Sequence, residues 1–238
     1  MPSPLPHRVS WDDFPDVVLH APIPVVKGHP DYEAGKSGDL TAAVRLVDAV
    51  ISTNAVERLR ALAGPEAVLV PVHAFESTGV NMIPIALAEA LARRLDLSVS
   101  SSVVQVNLVA HTGASGFARL ARQAVFEGDV EAGRRYLLVD DFVGQGGTLA
   151  NLRGHLQRAG GEVVGCTVLT GKLHSTKLAL SASTLYELRR KHGSDLERWW
   201  RDRFGHAFDG LTESEARYLA RTANADRVRD RVAAEQPA

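Results

Sequence analysis

The stretch VDDFVGQGGTL, residues 139–149, places two adjacent carboxylates, Asp140 and Asp141, at the end of an apolar run and follows them with Gly144, Gln145, Gly146, Gly147 and Thr148. Glycines at this spacing let the backbone turn tightly and bring main-chain N–H groups close to an anion. A helix starting at Leu149 adds unpaired N–H groups and the positive end of its dipole, and Thr148 can add a hydroxyl. Two carboxylates would repel bare phosphate. They suit a sugar phosphate, because carboxylates accept hydrogen bonds from a ribose diol and a hard divalent cation offsets the summed charge. The plainer alternative is a strand-to-helix turn in which Gly and Asp serve only for turning and capping.

Either reading needs a strand before the stretch and a helix after it. RRYLLVDD supplies the strand, TLANLRGHLQRAG the helix, closed by Gly160-Gly161, and VVGCTVLT a further strand. Upstream, AVLVPV is a short continuous apolar run of the kind buried on both faces of a sheet. IPIALAEALARRL is a helix with Pro84 in its first turn, and VVQVNLV is the next strand. Asp39 caps a helix whose Leu40, Val44, Val47 and Ile51 share one face, and a helix over 55–63 stops at Gly64-Pro65. Residues 110–128 read as a loop followed by a short helix.

This order predicts an α/β fold, a mostly parallel open sheet flanked by helices. Ligands of such sheets bind at the carboxyl ends of the strands, where VDDFVGQGGTL falls. We divide the chain into an N-terminal arm or cover (1–38) with one short edge strand, an α/β core (39–181) and a C-terminal helical appendage (182–238). In the appendage, TLYELRRKHGSDLERWWRDRF and TESEARYLARTANADRVRDRV each read as a helix, the second opened by a capping box of Thr212 and Glu215. Trp199 and Trp200 pack this unit on the core.

The chain has 238 residues with 27 basic and 28 acidic side chains, a net charge of −1. That balance gives no bulk attraction to nucleic acid or membrane, and direct nucleic-acid binding is not expected. Cys166 is the only cysteine, so no intrachain disulfide forms and no thiolate metal site can be built. The start MPSPLPHRVSWDDFPD lacks the basic and apolar blocks of a signal peptide, and no run reaches the length of a membrane span. A cytoplasmic protein is expected. Gly35-Lys36-Ser37 matches the end of a nucleotide-triphosphate loop, but Pro30 stands where its first glycine is required.

YLLVDDFVGQGGTL resembles the signature of the type I phosphoribosyltransferases, an apolar strand, two acids and a loop ending Thr-Gly-Gly-Thr. The upstream VLVPVHAFESTGVNMIPIALAEALARRLDL is similar to the ComF-like competence subgroup, and the likeness spans about residues 66–172. It implies the type I phosphoribosyltransferase fold and Mg²⁺-dependent transfer of ribose 5-phosphate from phosphoribosyl diphosphate to a nitrogen acceptor, a nucleobase or an amine, with release of pyrophosphate. Asp140 and Asp141 then hold the ribose hydroxyls, and Gly144, Gln145, Gly146, Gly147 and Thr148 hold the 5-phosphate. No direct protein ligand to the metal is implied with certainty, and homodimers are usual in the family.

The same likeness places Ser77, Thr78 and Gly79 at the pyrophosphate, lets Arg119, Arg122 and His111 close over it, and puts Lys172 in reach of a base carbonyl. Two departures stand out. Gly144 and Gln145 replace the usual hydroxyl residues at the start of the loop, and Gly144 cannot act as the acid that some purine-specific members carry there. They motivate one alternative, a non-catalytic sensor of phosphoribosyl diphosphate or nucleotides; the likeness to the competence subgroup implies another, a ComF-like accessory protein of DNA uptake.

Overall fold

The computed structural model describes residues 5–76, 79–107 and 115–235. From the N-terminus, β1 is Val18–Leu19, followed by two short helices, α1 (Ile23–Lys27) and α2 (Tyr32–Lys36), and by α3 (Leu40–Val50) and α4 (Thr53–Ala63). Next come β2 (Val68–Pro71), the hairpin of β3 (Phe75–Glu76) and β4 (Gly79–Val80), α5 (Ile83–Leu95), β5 (Ser98–Val99) and β6 (Val104–Gln105). Then follow α6 (Gly116–Ala121), β7 (Phe126–Glu127), β8 (Arg135–Val143), α7 (Gly147–Arg158) and β9 (Glu162–Gly171). The appendage comprises α8 (Ala182–Phe204), which is broken by a non-helical Gly193 (φ 74°, ψ 172°), α9 (Glu213–Ala220) and α10 (Ala225–Ala234).

The main sheet has the order β1-β9-β8-β2-β5, and every neighbouring pair in it is parallel. Alternate side chains go to opposite faces. Leu69, Leu137, Val139 and Leu169 pack with the α3, α4 and α5 residues Leu46, Leu59, Leu87 and Leu91. On the other face Val70, Leu138, Cys166 and Val168 meet Leu149, Leu152 and Leu156 of α7. A third cluster joins Trp200, Phe204, Phe208 and Leu219 of the appendage to Phe117 and Leu120 of α6. The expected α/β class, parallel sheet and C-terminal helices are therefore what the chain forms, and among the described residues no helix is long and apolar enough to cross a membrane.

Three local expectations change. The described part of VVQVNLV, residues 103–107, does not enter the main sheet: the edge strand is β5, which begins five residues before Val103, and β6 pairs antiparallel with β7. Asp96 explains the shift, because its left-handed backbone (φ 59°) ends α5 and turns the chain at once onto β2. In α3, Asp39 Oδ1 caps the helix by accepting from Ala42 N–H at 2.9 Å, yet Leu40 and Val44 are exposed while Ala42, Ala43, Leu46 and Val47 are buried. Small residues win that face because α2 crosses it closely: a Cβ on Gly35 would lie 3.1 Å from the Ala43 Cα. Finally, the segment after Thr212 is two helices, since Asn224 Oδ1 accepts from Arg227 N–H at 2.9 Å and starts α10 afresh.

Candidate functional site

β2 ends at Pro71, opposite Val139, whereas β8 continues to Val143 beside β9. From Asp140 onward one edge of β8 is therefore uncovered, and a cavity of about 320 Å³ opens there. Asp140, Asp141 and the whole of Gly144–Thr148 line it, as does Arg119 from α6. The sequence stretch that suggested chemistry is thus gathered around one space at the carboxyl edge of the sheet, as expected for an open α/β fold.

The acids do not face each other uncompensated. Lys36 Nζ lies 2.9 Å from Asp141 Oδ2, and Asp141 N–H donates to Asp140 Oδ1 at 2.8 Å. Burial holds the Asp140 carboxyl well above the usual carboxylate range, and the neighbouring Asp141 charge pushes it further, with the Lys36 charge acting in the opposite sense. Four basic side chains (Arg8, Lys27, Lys36, Arg119) and four acidic ones (Glu33, Asp140, Asp141, Glu215) line the cavity, so its walls carry little net charge. A polyanionic ligand would bring its own counter-cation to such a site.

The loop is built to approach an anion with its backbone. Gly146 adopts φ 84°, a left-handed conformation, and a Cβ there would run into Leu178. α7 then starts with no side-chain cap and no acidic residue in its first turn. Its N-terminal N–H groups open on the cavity that Gly147, Thr148 and Leu149 line. Arg119 Nη1 lies where a Cβ on Gly144 would come within 2.7 Å, so the guanidinium covers the start of the loop.

Other residues suggested by the sequence are placed apart. Ser77, Thr78 and His111 lie outside the described residues. Gly79 is in the β3-β4 hairpin and does not line the cavity, although Asn81, just beyond it, does. Arg122 points to the C-terminus, donating from Nε to Glu235 O at 2.9 Å. Lys172 is exposed after β9 and is not among the lining residues.

The structure adds residues that the sequence reading missed. Lys36 belongs to the Gly-Lys-Ser segment set aside above. Arg8 of the N-terminal arm donates to Asn151 Oδ1 at 2.5 Å and pairs with Glu215 of α9 at 2.6 Å, with side-chain exposures of 1% and 2%. Glu215 was legible as half of a capping box, and that box is formed. Nothing local marked Arg8.

In comparisons with known proteins, the family described as "Phosphoribosyl transferase domain" matches residues 79–185. The chain is 40% identical to "Protein TraN" of Escherichia coli over 228 residues, 95% of this chain and 51% of that protein. It is 39% identical to an uncharacterized protein of Haemophilus influenzae over 151 residues, 63% of this chain and 34% of that protein. The chain therefore spans about half or less of the length of these curated relatives. Among solved structures, an adenine phosphoribosyltransferase from Rhodothermus marinus is similar at 21% identity and a TM-score of 0.35, covering 63% of this chain and 73% of that one. Residues 79–185, which hold Asp140, Asp141 and the whole glycine loop, are similar to the phosphoribosyl transferase domain family.

Proposed function

We propose that the cavity at the end of β8 binds phosphoribosyl diphosphate and that the chain transfers its ribose 5-phosphate group to a nitrogen acceptor. The observation that carries this reading is the meeting of the Asp140–Asp141 pair with the uncapped start of α7 in one cavity. The carboxylates accept from the ribose hydroxyls, and the N–H groups of Gly144–Thr148 hold the 5-phosphate. In the reaction the acceptor lone pair forms a C–N bond at the anomeric carbon as the C–O bond to pyrophosphate breaks, the electron pair leaves with pyrophosphate, and the acceptor nitrogen gives up its proton to the departing pyrophosphate or to water. Arg119, beside the start of the loop at Gly144, adds positive charge to the cavity from which the diphosphate departs. No protein nucleophile is needed, so catalysis rests on positioning and electrostatics.

Mg²⁺ fits this donor set in one way only. No group of three or more His, Cys, Asp or Glu side chains suited to a metal occurs among the described residues. Asp140 and Asp141 offer one or two carboxylates, the number with which Mg²⁺ is commonly held when substrate phosphates and water complete its shell. When bound it would supply positive charge against the diphosphate.

Calorimetric titration of phosphoribosyl diphosphate with Mg²⁺ into the wild type and the Asp140→Asn/Asp141→Asn variant tests the site. Binding by the wild type that is lost in a folded variant is expected, and equal affinity would refute the diol role. A sensor without turnover is the second reading. It draws on Gly144, which has no side chain to act as an acid and has the Arg119 guanidinium beside it. Pyrophosphate release with a panel of nucleobases and amines separates the two. The likeness of the upstream segment to the ComF-like subgroup leaves the identity of the acceptor to that panel.

A further inference from the structure

Four successive carbonyls of the loop are held, the first two by side chains that lie outside the cavity. Ser175 Oγ donates to Gly144 O at 2.6 Å, Thr212 Oγ1 donates to Gln145 O at 2.6 Å, Ala150 N–H donates to Gly146 O at 2.9 Å, and Arg8 Nη2 reaches Gly147 O at 3.5 Å. In a trans peptide the C=O and the following N–H point in opposite directions. Fixing these carbonyls therefore turns the N–H groups of residues 145–148 the other way. Ser175 and Thr212 are completely buried and do not line the cavity, so the N–H groups are turned away from them and toward the ligand side.

All the side-chain struts converge on the first turn of α9. Thr212 is its N-cap and carries one strut directly. Ser214 Oγ donates to Ser175 Oγ at 3.0 Å and backs the second. Glu215 accepts from Thr212 N–H at 2.9 Å and from Arg8 Nη1 at 2.6 Å, which ties the cap to the third. The Thr212 hydroxyl is thus used twice: it accepts from Glu215 N–H at 3.1 Å and donates to Gln145 O.

We infer that the C-terminal helical unit is a brace for the phosphate loop, with Ser175 and Thr212 as positioning residues that present the N–H groups of Gln145–Thr148 to a sugar phosphate. The ligand named here rests on the function proposed above. The brace itself rests on the hydrogen bonds. It explains how a loop without hydroxyls at Gly144 and Gln145 is kept in an anion-ready shape: the hydroxyls come from elsewhere in the chain and act on its carbonyls.

The test uses the full chain, ribose 5-phosphate as the probe in calorimetry, and amide order parameters of residues 144–148 from ¹⁵N relaxation. Ser175→Ala leaves the α9 cap intact, Thr212→Val removes strut and cap together, and Thr212→Ser keeps both. Ribose 5-phosphate affinity is expected to fall about tenfold in Ser175→Ala and in Thr212→Val, the size of effect of losing one hydrogen bond to a polarised group, and to return in Thr212→Ser. Order parameters at Gln145 and Gly146 should drop from the rigid range near ~0.85 toward ~0.6 in the first two variants. Rigid loop amides in folded Ser175→Ala, or affinity unchanged in it, overturn the brace. If the wild type fails to bind ribose 5-phosphate, the sugar-phosphate reading falls, and the order parameters still decide whether the brace exists.

Discussion

Removing Lys36 should expose the electrostatic cost of the paired acids. Lys36 Nζ sits 2.9 Å from Asp141 Oδ2, and the two side chains are 17% and 10% exposed. At that distance, and an effective dielectric constant near 20, the direct attraction is about 6 kcal/mol before desolvation is subtracted. Breaking a fully buried pair costs about 3–5 kcal/mol, and the residual exposure here moves the expected loss for Lys36→Met to about 2–3 kcal/mol. In the Asp141→Asn background the same change should cost less, giving a coupling energy of about 2 kcal/mol in a double-mutant cycle.

The loss must also depend on pH. Asp140 already holds its proton more tightly than an exposed carboxyl, and the Lys36 charge restrains that shift. Without Lys36 the folded-state pKa of Asp140 rises further. An acid raised above its unfolded value of 3.8 gives full stability below that value and loses it as pH rises through the folded pKa. The deficit of Lys36→Met should therefore grow as pH rises from below 3.8 through the folded-state pKa of Asp140. Urea unfolding of the four proteins of the cycle across the pH range in which they stay folded reads it directly. A coupling below about 0.5 kcal/mol, or a deficit that ignores pH, would show that Lys36 does not compensate the pair.

Arg8→Met should leave Glu215 buried without its partner and cost about 3–5 kcal/mol, lowering the thermal midpoint by about 10 °C, with much of the loss regained in Arg8→Met/Glu215→Met. Differential scanning calorimetry checks both. His20 is buried between Ser52 N–H, which donates to Nδ1 at 3.2 Å, and Thr167 Oγ1, 3.1 Å from Nε2, and burial brings its pKa down to about 4. A base depressed in this way gives stability that is present above its unfolded value of 6.5 and is lost as pH falls toward 4, about 3 kcal/mol in all. His20→Gln should flatten that part of the stability–pH curve in urea titrations, and a curve of unchanged slope would contradict the assignment.

The candidate site was legible where its parts are contiguous. Asp140, Asp141 and Gly144–Thr148 lie on one strand-loop-helix segment, so local spacing alone brought them together and fixed which end of the sheet they occupy. The Thr212–Glu215 capping box was legible for the same reason. VVQVNLV misled because a short apolar run reports burial and not the partner that buries it. Leu40 and Val44 misled because periodicity shows that a helix has a face, while the close crossing of α2 at Gly35 decided which face packs.

The sequence by itself determined the α/β class, the order of the core elements and the acid-glycine stretch, since each depends on neighbours within one or two turns of chain. Only the tertiary structure decided what surrounds that stretch. Lys36 reaches Asp141 across 105 residues, Thr212 reaches Gln145 across 67, and Arg8 reaches Glu215 across 207. No local pattern encodes such pairs, because an isolated lysine, threonine or arginine reads as surface until the packing of arm, core and appendage removes it from water and leaves it protein groups as its polar partners.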